Sequence, residues 1–220
     1  IDAWLFQCAM SEQEYWKQKW EERETESVNR FAKKAFSCIH ALKKDCRALT
    51  LLDLGCGDGK DSLYFAKKGF HVTGVDFSES GIQRLKEQAD KLNLRTLVPL
   101  QEDLTKLHLK ENSFDVIYAH LSLQYFDDRT TTELFDRLYT FLKEGGLIFV
   151  KCKSTDDSLY CVGEKAGEDM YIKNHLRHFF SKEYMVEKLR MFKLLKVRKT
   201  SSVYHAYKSA FIEAVATKEV

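Results

Sequence analysis

Apolar positions along this chain change spacing, and the change marks where helices give way to strands. Val28, Phe31, Ala32, Ala35, Phe36, Ile39 and Leu42 recur at steps of three and four, which predicts a helix following Ser27 with one apolar face. A shorter helix is predicted before it, where Ser11 and Glu14 form a capping box ahead of Tyr15, Trp16 and Trp20. From Ala48 the apolar run tightens: 49–54 reads as a buried strand that enters the alternating glycines Gly55, Gly57 and Gly59, and 61–68 as a helix closed by Gly69.

The alternation continues with a strand over 71–75 and a helix capped by Ser78 and running to 92. A strand over 96–100 follows, and its Pro99 suits an edge or a strand end. Next come a strand over 114–119, a helix over 130–142 stopped by Gly145-Gly146, and a strand over 147–152. The stretch 153–169 reads as a long loop able to act as a lid. Ser181 caps a helix to 191, and 192–204 and 209–216 form a closing antiparallel pair. Strands alternating with helices predict an α/β fold with a mostly parallel sheet covered on both faces.

The 220 residues suit one domain. We expect helices over 1–46 that can cover a ligand and a core over 48–220. The formal charge of +2 gives no reason to expect a nucleic-acid partner. Lys182, Lys188, Arg190, Lys193, Lys196, Arg198 and Lys199 are spread as a solvated face is. No window has membrane-spanning length, and six cysteines without a C-x-x-C pair point to a reducing cytoplasm. A monomer or homodimer is expected. His175 and His178 flank Arg177 but lack a third ligand nearby, so no metal is expected.

Candidate chemistry gathers at successive strand ends, where parallel sheets bind ligands: the glycine turn, Asp76, Asp103 and Ala119-His120. Asp76 lies about 20 residues beyond the glycines, the position from which an acid holds ribose hydroxyls. Phosphate fits poorly, because the spacing is G-x-G-x-G, Lys60 replaces a third fingerprint glycine, and Asp53 and Asp58 bring negative charge. A ligand with adenosine at one end and a cation at the other suits the turn better.

Through Leu52-Asp53-Leu54-Gly55-Cys56-Gly57-Asp58-Gly59, Gly74-Val75-Asp76-Phe77-Ser78, Glu102-Asp103-Leu104 and Phe114-Asp115-Val116-Ile117, the chain resembles the class I S-adenosylmethionine-dependent methyltransferases. Lys60-Asp61-Ser62-Leu63-Tyr64-Phe65-Ala66 and Leu176-Arg177-His178-Phe179-Phe180-Ser181 resemble more loosely their small-molecule branch, which contains tellurite-resistance and thiopurine methyltransferases. The resemblance implies a three-layer Rossmann-like fold with seven strands in the order 3-2-1-4-5-7-6, the last antiparallel. It implies S-adenosylmethionine as cofactor and S-adenosylhomocysteine as product. Asp53 and the backbone of Gly55, Cys56, Gly57, Asp58 and Gly59 would surround the methionine end, with Asp76 on the ribose and Phe77 against adenine before the capping Ser78. Asp103 and the Leu104 amide would read the adenine edge, Ala119 and His120 would line the methyl path, and Tyr15, Trp16 or Trp20 would close over the cofactor.

The implied reaction moves a methyl group to a small acceptor, a thiol, amine, hydroxyl or metalloid. Two other classes stay open: an enzyme acting on RNA or protein, and a non-catalytic cofactor-binding module. In-line displacement needs alignment more than acid-base help, so no catalytic residue is assigned. For a poor nucleophile, His120 and His205 are the available bases.

Overall fold

The computed structural model describes residues 14–16, 18, 28–43, 45–204 and 207–219. Ser11, Trp20, Ser27 and His205, named above, lie outside them. The elements are α1 (Arg30–Lys43), β1 (Thr50–Leu54), α2 (Lys60–Lys67), β2 (His71–Asp76), α3 (Glu79–Lys91), β3 (Leu97–Gln101), β4 (Phe114–His120) and α4 (Asp128–Phe141). They continue with β5 (Leu142–Lys153), β6 (Glu164–Gly167), β7 (Met170–Ile172), β8 (Leu176–His178), α5 (Lys182–Lys188), β9 (Lys193–Tyr204) and β10 (Tyr207–Thr217).

Seven strands form one sheet in the order β3-β2-β1-β4-β5-β10-β9. The first five in this order pair in parallel, and β10 runs antiparallel to both β5 and β9. With β6, β7 and β8 left out of the count, this is the order 3-2-1-4-5-7-6. β3 is one of the two edge strands, where Pro99 costs no ladder donor in the sheet interior.

Period-two alternation splits the core. Leu52, Leu54, Ile117, Ala119, Ile148 and Val150 face the side covered by α4 and α5, with Leu134, Leu138 and Met185. Leu51, Val116, Tyr118 and Phe149 face α1, α2 and α3, with Phe31, Ile39, Phe65 and Leu85. The same alternation puts Asp53 and His120 on the α1 and α2 side.

Two readings need correction. The glycine pair does not stop α4. That helix runs from an Asp127 cap, which accepts from the Thr130 amide at 2.7 Å, to Phe141, and Leu142 turns directly into β5. Leu142 is fully buried and pairs with Phe114, while Leu147 pairs with Val116, so burial of Leu142 sets the boundary and Gly145-Gly146 occupy the irregularity between these pairs.

The stretch 153–169 also has structure of its own. Its far end enters a three-stranded antiparallel sheet, β6-β7-β8, that sequence periodicity did not reveal. Its near end is tied down by buried Asp157, which accepts from Lys153 Nζ at 2.6 Å and from the Ala210 amide on β10 at 2.8 Å. Tyr160, Tyr171 and Phe179 pack edge to face around the small sheet.

Candidate functional site

The carboxyl ends of β1, β2 and β4, with the turn after β3, surround a cavity of about 550 Å³, a size suited to a small-molecule ligand. The turn after β1 forms one wall. Gly55, Gly57 and Gly59 have φ of 66°, 58° and 79°, left-handed values that disfavour side chains. A Cβ on Gly55 would overlap the Ser122 side chain, and one on Gly59 would overlap Leu85. Glycine thus lets the turn lie against both α3 and the segment after β4.

Five carboxylates, Asp53, Asp58, Asp61, Asp76 and Asp103, line the cavity. Asp76 accepts from the Gly57 amide at 2.8 Å and from the Ser78 amide at 2.9 Å, so it ties β2 to the glycine turn. Burial raises its pKa, and the two amides only partly offset that. Each oxygen keeps a second lone pair for a ligand hydroxyl. Asp53 is 2% exposed and accepts from Ser62 Oγ at 2.5 Å. Burial first, then the charges of Asp61 and Asp76, push its carboxyl up to about 8, against the pull of the Ser62 bond. Asp103 spends one oxygen on the Thr105 amide and hydroxyl, both at 2.8 Å, and so caps the short 3₁₀ turn Leu104–Lys106.

A second cluster adjoins Asp53. Asp61, in the first turn of α2, accepts from the Asn29 amide at 3.0 Å, from Asn29 Nδ2 at 2.6 Å and from the Tyr118 hydroxyl at 2.9 Å. Asn29 Nδ2 also lies 3.2 Å from His120 Nδ1. Burial lowers the His120 pKa to about 4 even though Asp61 pulls upward, because Lys151 and Lys60 add to the burial effect. At neutral pH the ring is uncharged.

Beyond His120, Leu121 adopts a φ of 60°, uncommon outside glycine, and the chain enters the 3₁₀ turn Leu123–Tyr125. Trp16, Tyr125 and Phe126 wall this side of the cavity. Behind them His175, just before β8, packs 5.0 Å from the Tyr125 ring and 4.9 Å from Tyr15, while Arg177 donates to His175 Nε2 at 2.8 Å. His178 packs instead on Phe180 and Tyr184, so the two histidines serve different neighbourhoods.

Of the residues singled out in the sequence, Trp16, Asp53, Gly55, Cys56, Asp58, Asp76, Phe77, Asp103, Leu104 and His120 line the cavity. Tyr15, Gly57, Gly59, Ser78 and Ala119 do not. Gly57 and Gly59 shape the turn, Ser78 caps α3 by accepting from the Gly81 amide, Ala119 is buried in the core, and Tyr15 packs on Trp16 and His175. The sequence reading missed Asn29, Asp61, Ser122 and Tyr125. Asp61 stood inside a quoted motif, whereas Asn29 reaches the site only through the packing of α1 on the sheet.

Two buried polar atoms on the wall, Asp58 Oδ1 and Ser122 Oγ, have no hydrogen-bond partner among the described residues. An acceptor-only oxygen beside other acids fits a donating cation, and a lone hydroxyl fits a polar ligand atom. The residues therefore fit a cationic adenosine derivative.

Residues 51–146 match the model of a family described as a methyltransferase domain. Over 107 residues, 47% of this chain and 21% of the relative, the chain is 35% identical to phosphoethanolamine N-methyltransferase 1 of Arabidopsis thaliana. Across this and seven other curated relatives, the matched segment spans between 20% and 44% of the relative's length. Among solved structures, TehB of Haemophilus influenzae superposes with a TM-score of 0.70 at 20% identity over 94% of this chain and 67% of that one. The 1,6-didemethyltoxoflavin-N1-methyltransferase of Burkholderia thailandensis, with bound 1,6-didemethyltoxoflavin and S-adenosylhomocysteine, gives a TM-score of 0.69 at 19% identity over 87% of this chain and 79% of that one. The fold is that of the S-adenosylmethionine-dependent methyltransferases.

Proposed function

We propose that this chain is an S-adenosylmethionine-dependent methyltransferase acting on a small acceptor. The observation that carries the reading is the carboxylate-lined cavity at the glycine turn, with the buried Asp58 Oδ1 on its wall unpartnered among the described residues. The family match over 51–146 supports it. In this reading Asp53 and Asp58 meet the ammonium end, Asp76 takes ribose hydroxyls through its remaining lone pairs, and Phe77, Asp103 and Leu104 hold the adenine. Bound there, the sulfonium supplies an electrophilic methyl group. The chain's part is to align the acceptor and keep water out, which Trp16, Tyr125, Phe126 and His120 do from the opposite wall.

The aromatic enclosure of that wall favours a small acceptor over a polymer. Among the described residues no helix is long and apolar enough to cross a membrane. The five described cysteines are free, which supports a reducing cytoplasm as the working compartment.

Calorimetric titration with S-adenosylmethionine and S-adenosylhomocysteine tests the cofactor. Binding is expected in the wild type. Asp76→Ala removes charge-assisted hydrogen bonds of about 1.5 to 3 kcal/mol each, about ten- to hundredfold in affinity per bond, and frees the Gly57 amide as well. Unchanged affinity in a folded Asp76→Ala protein excludes this ribose contact. Labelled methyl transfer to a panel of thiols, amines, phenols and tellurite then identifies the acceptor.

A further inference from the structure

We propose that Asn29 and Asp61 hold His120 as a neutral imidazole protonated on Nε2, making it a hydrogen-bond donor to the methyl acceptor and not a base. The acceptor class that follows is a nucleophile that reaches the site already deprotonated, as an ionised thiol does. This inference rests on the methyl-transfer reading and specifies the acceptor half of the same cavity.

The argument begins with the Asn29 amide, whose nitrogen and oxygen are otherwise hard to tell apart. Here the partner decides. The atom 2.6 Å from Asp61 Oδ2 must be the nitrogen, because a carboxylate accepts and a flipped amide would set oxygen against oxygen. The Asn29 backbone amide donates to the other oxygen of Asp61, and the Tyr118 hydroxyl donates to the same Oδ2, so the carboxylate is held from three sides. The second hydrogen of Asn29 Nδ2 is then free for His120 Nδ1, 3.2 Å away. Nδ1 accepts, and in a neutral ring the proton sits on Nε2.

The ring plane is also set. Tyr118, fully buried, lies nearly parallel to His120 at 6.4 Å between centroids with a 10° tilt, and Phe31 of α1 packs at 6.0 Å. The charged groups around the ring come from every neighbouring element: Asp61 and Lys60 on α2, Lys151 opposite it on β5, and Glu213 on β10. The acids favour an imidazolium, the lysines oppose it, and burial opposes it most. A base at Nε2 would have to move its proton to Nδ1 first, which sets two donors against each other at Asn29.

Transfer therefore leaves no proton on His120. A bond forms from the acceptor's electron pair to the methyl carbon as the sulfonium sulfur–carbon bond breaks, its electrons remaining on a neutral thioether. For an ionised thiol the products balance without a base. Asn29 and Asp61 are positioning residues, and His120, which lines the cavity, is the group that would touch the acceptor.

The test is long-range ¹⁵N–¹H NMR of histidine side chains in the whole protein with S-adenosylhomocysteine present. The wild type is expected to show His120 as a single Nε2–H tautomer that stays neutral from pH 8 to below pH 6. Asn29→Ala should give mixed tautomers, and Asn29→Asp, by setting a second carboxylate at Nδ1, should bring a proton there and raise the His120 pKa by a unit or more. A wild-type Nδ1–H tautomer, an imidazolium at pH 7, or an Asn29→Ala spectrum identical to wild type overturns the proposal. The wild-type spectrum decides even if a variant fails to fold. Calorimetry on the same sample separates the two readings, since absent S-adenosylhomocysteine binding removes the methyl-transfer reading and leaves the tautomer result standing. For the acceptor class, methyl transfer to thiophenol and not to cyclohexanol is expected; transfer to cyclohexanol, or to neither, overturns it.

Discussion

At the scale of single residues, Asp53 shows how burial prepares a site. Its carboxyl is raised to about 8 by burial and by the neighbouring acids, so at neutral pH much of it carries a proton in the folded chain. Below the ordinary carboxylate range the folded and unfolded chains are both protonated there, and the group has no effect on stability. As pH rises from that range to about 8 the unfolded chain loses the proton first, so this one group lowers stability progressively. A bound cation reverses the preference and expels the proton. Affinity for S-adenosylmethionine should accordingly rise between about pH 6 and 8, and Asp53→Asn should flatten that slope. Calorimetry across this range in buffers of different ionisation enthalpy reads both the slope and the released proton, and an equal slope in the variant removes Asp53 from the cation's contacts.

At the scale of elements, the turn between β1 and α2 depends on two different demands on glycine. Gly59 has a φ of 79° and its missing Cβ leaves room for Leu85, so Gly59→Ala meets both backbone strain of about 1 to 2 kcal/mol and overpacking of about 1 to 3 kcal/mol. Gly145 has a similar φ of 68°, but a Cβ there would meet nothing closer than Lys43 Nζ at 3.9 Å. Gly145→Ala should cost only the strain. Urea unfolding of the two variants separates the contributions, and equal losses would show that Leu85 simply moves aside. The contrast also explains the misread end of α4: glycine marks a left-handed backbone position, and a helix stop is only one place that needs one.

For the molecule as a whole, β10 lies between β5 and β9 and carries Glu213, an acid 3% exposed inside the sheet region. It bonds Arg198 of β9 at 2.7 Å and Lys151 of β5 at 3.2 Å, with Lys34 of α1 at 3.7 Å. Burial alone would raise its pKa, but Arg198 and the two lysines outweigh burial and hold it below the ordinary carboxylate range. Its contribution is therefore full above that range and is lost as pH falls through the lowered value. Glu213→Ala leaves the largely buried Lys151 without its acid, which should destabilise the protein by about 3 to 5 kcal/mol. Thermal unfolding of Glu213→Gln beside Glu213→Ala checks this, since a loss confined to the alanine variant would assign the effect to packing.

The glycine turn and the acids Asp53, Asp58, Asp76 and Asp103 were legible in the chain itself, because strand ends, glycine spacing and apolar period are local signals and a parallel sheet brings successive strand ends together. The sheet order was legible through the resemblance those motifs carry. The β6-β7-β8 sheet was not, because strands of three and four residues are too short for a period to register. Asn29 and Asp61 were not either: their bond to each other crosses 32 residues of sequence, the Asn29 contact with His120 crosses 91, and the Tyr118 bond to Asp61 crosses 57. Sequence by itself determined where the glycine turn stands and which acids line the cavity beside it. Only tertiary packing of α1 and α2 on β4 decided which buried groups meet His120, because Asn29 and Asp61 reach it from elements distant in sequence.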